Sequence, residues 1–139
     1  MNKRTKALAI TSHVKKRVEE RDGHTCIFCG RSGRGEAHFI SRAHGGLGIE
    51  ENLITVCREC HDKMDNSTER NKMLGVAEEY LKNRYPYWSK DFLIYEKGIK
   101  TKDRLAQIKE KYDKQREKEQ KVLENLKKTK PPVGFFFID

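Results

Sequence analysis

Residues 36–65 read EAHFISRAHGGLGIEENLITVCRECHDKMD, and this stretch decides how the chain folds. EAHFIS (36–41) alternates well enough to predict a short strand. Gly45, Gly46 and Gly48 then make a loop, and IEENLITVC (49–57) reads as a second extended segment. A helix should start near Cys57–Cys60 and carry His61 and Asp65, whose i, i+4 spacing puts them on one face. The order is strand, loop, strand, helix. Three of the five histidines (His38, His44, His61) fall in this stretch, more polar chemistry than a small stapled module requires.

Just outside it, CIFC (26–29) pairs with CREC (57–60) to give two C-x-x-C knuckles that use all 4 cysteines. Each knuckle turns both thiolates toward one point, the usual arrangement of a tetrahedral four-cysteine zinc site. A single pair would leave redox chemistry or core filling open. Two pairs favour structural zinc on Cys26, Cys29, Cys57 and Cys60. MNKRTKALAI at the N-terminus has too short an apolar stretch for a signal peptide. The expectation is a soluble protein of a reducing cytoplasm, where disulfides are rare.

Composition supports a stapled core. In 139 residues only 35% are hydrophobic and 37% are charged, so apolar burial alone builds a small core. The net charge of +9 favours a polyanionic partner, nucleic acid first and an anionic membrane surface second. No apolar run is long enough to span a bilayer. The charge is uneven: residues 1–35 carry 9 basic and 3 acidic side chains, 36–66 carry 3 and 6, and 67–139 carry 18 and 12. An acidic centre between basic flanks makes sense if a cation sits there.

Three segments follow: a basic arm and helix (1–22), a zinc-stabilised core (23–66) and a helical extension (67–139). Residues 1–11 read as flexible. Ser12 is the expected N-cap of a helix reaching Asp22 and stopped by Gly23. Its Lys15, Lys16 and Arg21 are candidates to contact DNA backbone. From 67 to 85 the pattern is helical, with Met73, Val76, Ala77, Tyr80 and Leu81 on one stripe and Pro86 as the stop. PYWSKDFLIYEKG (86–98) should pack on the body, 101–128 should be one long charged helix, and the apolar tail PPVGFFFID (131–139) should dock back. The fold class is α+β and helix-rich.

HTCIFC, EAHFISRAHGG and EENLITVCRECHDK, in this order, resemble the HNH endonucleases, and the resemblance covers residues 21–66. The flanking helices resemble those of small phage-encoded, nicking-type members. The resemblance implies a ββα-metal core. It implies that His38 is the general base that activates water against a phosphodiester, and that Asn52 fixes the loop aiming it. His61 would bind the single catalytic divalent ion, with Asp65 one turn on as a further ligand. Many members carry an Asp or His just before the base, where this chain has Ala37. Glu36 is then the candidate to complete the shell, although adjacent strand residues face opposite ways.

The chemistry fits these roles. Histidine titrates near about 6.5, which makes it available as a base at neutral pH. Nitrogen and oxygen ligands suit Mn²⁺, Mg²⁺, Ni²⁺ or Co²⁺. Arg42 is the candidate to clamp the scissile phosphate, while His13, His24 and His44 read as structural or exposed. One constellation per chain predicts a monomer that nicks duplex DNA, leaving 5′-phosphate and 3′-hydroxyl ends. Phage packaging or processing proteins are the partners the resemblance implies. The competing reading is a non-catalytic, zinc-stabilised DNA-binding module whose site has degenerated at Ala37.

Overall fold

The structure, a computed structural model, describes residues 2–128. It divides into two units, residues 1–101 and 102–139. Residues 67–101 fall in the first unit together with residues 23–66.

The centre of that unit is a two-stranded antiparallel sheet, β1 (Arg34–His38) and β2 (Leu53–Val56), pairing His38 with Leu53 and Ala37 with Ile54. A bulge between Arg34 and Ala37 shifts the register. β2 is the apolar run LITV and all four of its residues are buried, as expected of a strand covered on both faces. β1 starts two residues earlier than the alternation predicted and ends at His38. The segment 50–52, expected to be extended, is a single 3₁₀ turn.

Two helices precede the sheet. The stretch expected to be flexible contains α1 (Lys3–Leu8), which Asn2 caps through the Thr5 N–H, and Leu8 is 2% exposed. α2 (Ser12–Arg21) is capped by Thr11 rather than Ser12, the Thr11 hydroxyl accepting from the Val14 N–H at 3.2 Å. α3 (Arg58–Asn66) follows β2 directly, with Cys57 as its N-cap.

α4 (Arg70–Arg84) buries Met73, Ala77 and Leu81. Those three lie at i, i+4 and i+8, so Val76 falls off the stripe and is 49% exposed, contrary to expectation. The helix ends just before Tyr85–Pro86 because a proline disfavours helical geometry in the residue ahead of it. The aromatic segment beyond packs back as expected. Trp88, Phe92 and Leu93 are buried, the Trp88 indole N–H donates to the Glu51 carbonyl at 2.7 Å, and its ring meets Phe39 edge-on at 5.5 Å.

A buried polar knot ties these layers together, and it corrects the reading of Arg21. The Arg21 guanidinium donates to both carboxylate oxygens of Asp22 (2.8 and 3.0 Å), to the carbonyls of Glu50 and Leu53 (2.8 and 2.7 Å) and to the Tyr85 hydroxyl (3.1 Å). It faces inward, its side chain only 12% exposed, where the sequence reading has it contacting DNA backbone. Asp22 also accepts from the Thr55 N–H at 2.9 Å and from the Tyr80 hydroxyl. Burial raises the Asp22 carboxyl, but bonds from Arg21 and Tyr80 outweigh it and hold the group below its ordinary value. Replacing Asp22 with alanine leaves a charged guanidinium without its counterion. The expected loss is about 3–5 kcal/mol, read from the urea midpoint. The carboxylate's contribution stands at neutral pH and is lost as pH falls through its depressed folded value.

Among the described residues the second unit is α5 (Thr101–Lys128) from residue 102 onward, the single long helix that was expected, with no residue of it buried. The tail at 131–139 lies outside the described residues. Among the described residues no helix is long and apolar enough to cross a membrane.

Candidate active site and metal centre

The knuckles converge. The Sγ atoms of Cys26, Cys29, Cys57 and Cys60 all lie within 4.8 Å of one another, and those of Cys29 and Cys57 are 3.5 Å apart. Thiolates at about 2.3 Å from a tetrahedral ion stand about 3.8 Å apart, so the cluster fits zinc. The backbone builds it from both sides. The Cys26 N–H donates to the Arg31 carbonyl and the Gly30 N–H to the Cys26 carbonyl (2.6 and 2.9 Å), closing the first knuckle. The second knuckle is the start of α3, where the Cys57 sulfur accepts from the Cys60 N–H at 3.4 Å. That N–H draws the Cys57 thiol down to about 7, while burial pushes the Cys60 thiol up. Four neighbouring thiols without a cation resist ionising together, and a bound metal ion relieves the conflict.

His38 ends β1, half-buried, with Nε2 at 3.2 Å from the Leu8 carbonyl. Burial lowers its basicity below the ordinary histidine value, the Leu8 carbonyl opposes this, and the charges of Arg42 and His61 lower it further. His61 and Asp65 face each other one turn apart on α3, Nε2 to carboxylate 3.5 Å, both open to solvent.

Asn52 is wholly buried and stitches the loop after His38. Its side chain accepts from the Ile40 N–H at 2.8 Å and donates to the carbonyls of Ile40 and Leu47 (3.1 and 2.8 Å). Such a two-ended clamp needs an amide, which carries both a donor and an acceptor. It also needs glycine at 46, where a Cβ would sit 1.7 Å from the Ile40 carbonyl oxygen. The extension grips the same loop from outside: the Leu47 N–H donates to the Leu93 carbonyl and the Tyr95 N–H to the Gly45 carbonyl, each at 2.8 Å.

The remaining candidates divide. Ala37 is fully buried, while Glu36 is exposed and shares a cavity of about 460 Å³ with His61, Arg34 and Arg58. The Glu36 carboxylate already pairs with Lys15 at 3.3 Å and Arg34 at 3.9 Å. Arg42 and Lys16 are exposed. His44 is held by the Ser41 hydroxyl at 2.7 Å. Among the described residues, the four cysteines form the one group of three or more side chains placed to hold a metal ion. Two contributors had no signal in the sequence: the Leu8 carbonyl, a backbone atom 30 positions from His38, and the Arg21–Asp22 pair, which reads as ordinary surface charge.

Searches among curated proteins and among solved structures each returned no match. Residues 26–67 match the family model described as HNH endonuclease, a span that begins at the first cysteine of the cluster and closes just after α3. Over that span the chain is similar to an HNH endonuclease domain, and the four-cysteine cluster within it suits a structural metal.

Proposed function

We propose that the chain is a divalent-metal-dependent endonuclease that nicks duplex DNA, with His38 as general base. One observation carries this reading. The match at residues 26–67 covers a strand–strand–helix unit that ends β1 on half-buried His38 and carries His61 and Asp65 on one face of α3, with Asn52 locking the loop that follows His38.

In this reading His38 takes the proton from the attacking water, and lowered basicity keeps its ring neutral at physiological pH. Exposed Arg42 holds a non-bridging phosphate oxygen. His61 and Asp65 hold the ion on one face of α3. Once bound, it supplies charge neutralisation to the phosphate and the departing 3′ oxygen. Two protein ligands completed by water and phosphate oxygens suit Mg²⁺ or Mn²⁺, which are commonly bound through few side chains. Glu36 is a third ligand only if it leaves Lys15 and Arg34. The products are 5′-phosphate and 3′-hydroxyl ends. Lys16 and Arg42 contact backbone, so affinity falls steeply with salt.

Supercoiled plasmid tests this directly. Relaxed circles are expected with Mn²⁺ or Mg²⁺, preceding any linear product, and none with EDTA. The nicks should be sealed by a ligase that needs 5′-phosphate and 3′-hydroxyl. Intact plasmid under every ion, together with a salt-sensitive gel shift, would leave a zinc-stapled DNA-binding module in which Ala37 marks the lost ligand.

A further inference from the structure

The segment that touches His38 is not part of the matched domain. α1 and the residues after it lie before residue 26, yet they are seated against the site at three points. The Leu8 side chain is buried, the Gly48 N–H donates to the Ala7 carbonyl at 3.0 Å, and His38 Nε2 lies 3.2 Å from the Leu8 carbonyl oxygen. Gly48 is the floor of this seat. A Cβ there would stand 2.1 Å from the Ala9 oxygen and 2.9 Å from the Leu8 oxygen that His38 contacts. Gly48 does not use a left-handed φ, so a methyl group at that position meets the arm rather than a backbone penalty.

A carbonyl oxygen can only accept a hydrogen bond. The ring nitrogen facing it must therefore carry the hydrogen, and a neutral imidazole then has its lone pair on the other nitrogen. We propose that residues 3–9 are a docked active-site arm whose Leu8 carbonyl holds His38 as the Nε2–H tautomer and leaves Nδ1 as the proton acceptor. Leu8 is thus a positioning residue, acting through its backbone, and its clearance depends on Gly48. The proposal rests on the nuclease reading above for its catalytic consequence, but the tautomer itself does not.

The test uses full-length, zinc-loaded protein with ¹⁵N-labelled histidine. Long-range proton–nitrogen spectra at a pH where the ring is neutral report which nitrogen carries the hydrogen. Wild type should show His38 as Nε2–H. Gly48→Ala should lose that signature, retain its zinc and a cooperative urea transition at a lowered midpoint, and nick plasmid about 100-fold more slowly, the scale of an ångström-sized misplacement. Leu8→Ala, which loosens the arm without touching Gly48, should shift the tautomer and the rate the same way, and it decides the matter if Gly48→Ala fails to load zinc. A wild-type Nδ1–H tautomer overturns the proposal, as do variants that keep both the wild-type tautomer and the wild-type rate. If wild type shows the Nε2–H form, the variants lose it and no protein nicks DNA, the arm positions His38 as stated and the nuclease reading alone has failed.

Discussion

Cys57→Ser is expected to unfold the unit spanning residues 1–101. Cys57 holds three places at once: it belongs to the four-sulfur cluster, it follows β2 directly, and its sulfur caps α3 by accepting from the Cys60 N–H at 3.4 Å. Structural zinc in small modules contributes about 10–16 kcal/mol of apparent folding energy, against a net stability of about 5–15 kcal/mol for a typical domain. Even partial loss of that contribution exceeds the margin. Circular dichroism should show loss of the cooperative thermal transition, and a strong chelator should do the same to wild type. A serine variant that keeps one zinc and melts within a few degrees of wild type would remove the cluster from its role as the staple. The arithmetic suits this composition, in which 35% hydrophobic residues build a limited core.

His38→Ala should separate chemistry from folding. The ring is half-buried and hydrogen-bonds to the Leu8 carbonyl, so the fold, the zinc content and the DNA affinity should survive. Nicking should fall by about 10²–10⁴-fold, the range of a positioned general base. The pH profile carries a second signature. A base works only when neutral, and burial lowers the His38 value beneath that of an ordinary histidine. The acid limb of the wild-type rate should therefore fall below that value, and activity should persist in mildly acidic buffer. A variant that melts as early as Cys57→Ser would make His38 structural, and one that nicks at the wild-type rate would remove it from the chemistry.

What was legible from residues alone lies mostly between 26 and 66. Paired cysteines announce a metal because thiolates at that spacing have few other uses, and His61 with Asp65 share a face because a helix repeats every 3.6 residues. The run LITV reads as a buried strand for the same local reason. Even there the limits show: β1 slid two residues toward the N-terminus, because strand ends depend on which partner the register and its bulge select.

The sequence by itself determined the four-cysteine cluster, the strand–strand–helix order and the long charged helix at 101–128, since each follows from periodicity or ligand chemistry within a few dozen residues. Only the tertiary structure decided that Arg21 turns inward onto Asp22 and two carbonyls, that residues 67–101 pack within the same unit as the core, and that a Leu8 carbonyl meets the His38 ring. The physical reason is common to all three. Each depends on partners distant in sequence, several of them backbone oxygens that every residue possesses, so no residue pattern marks them before the chain has folded.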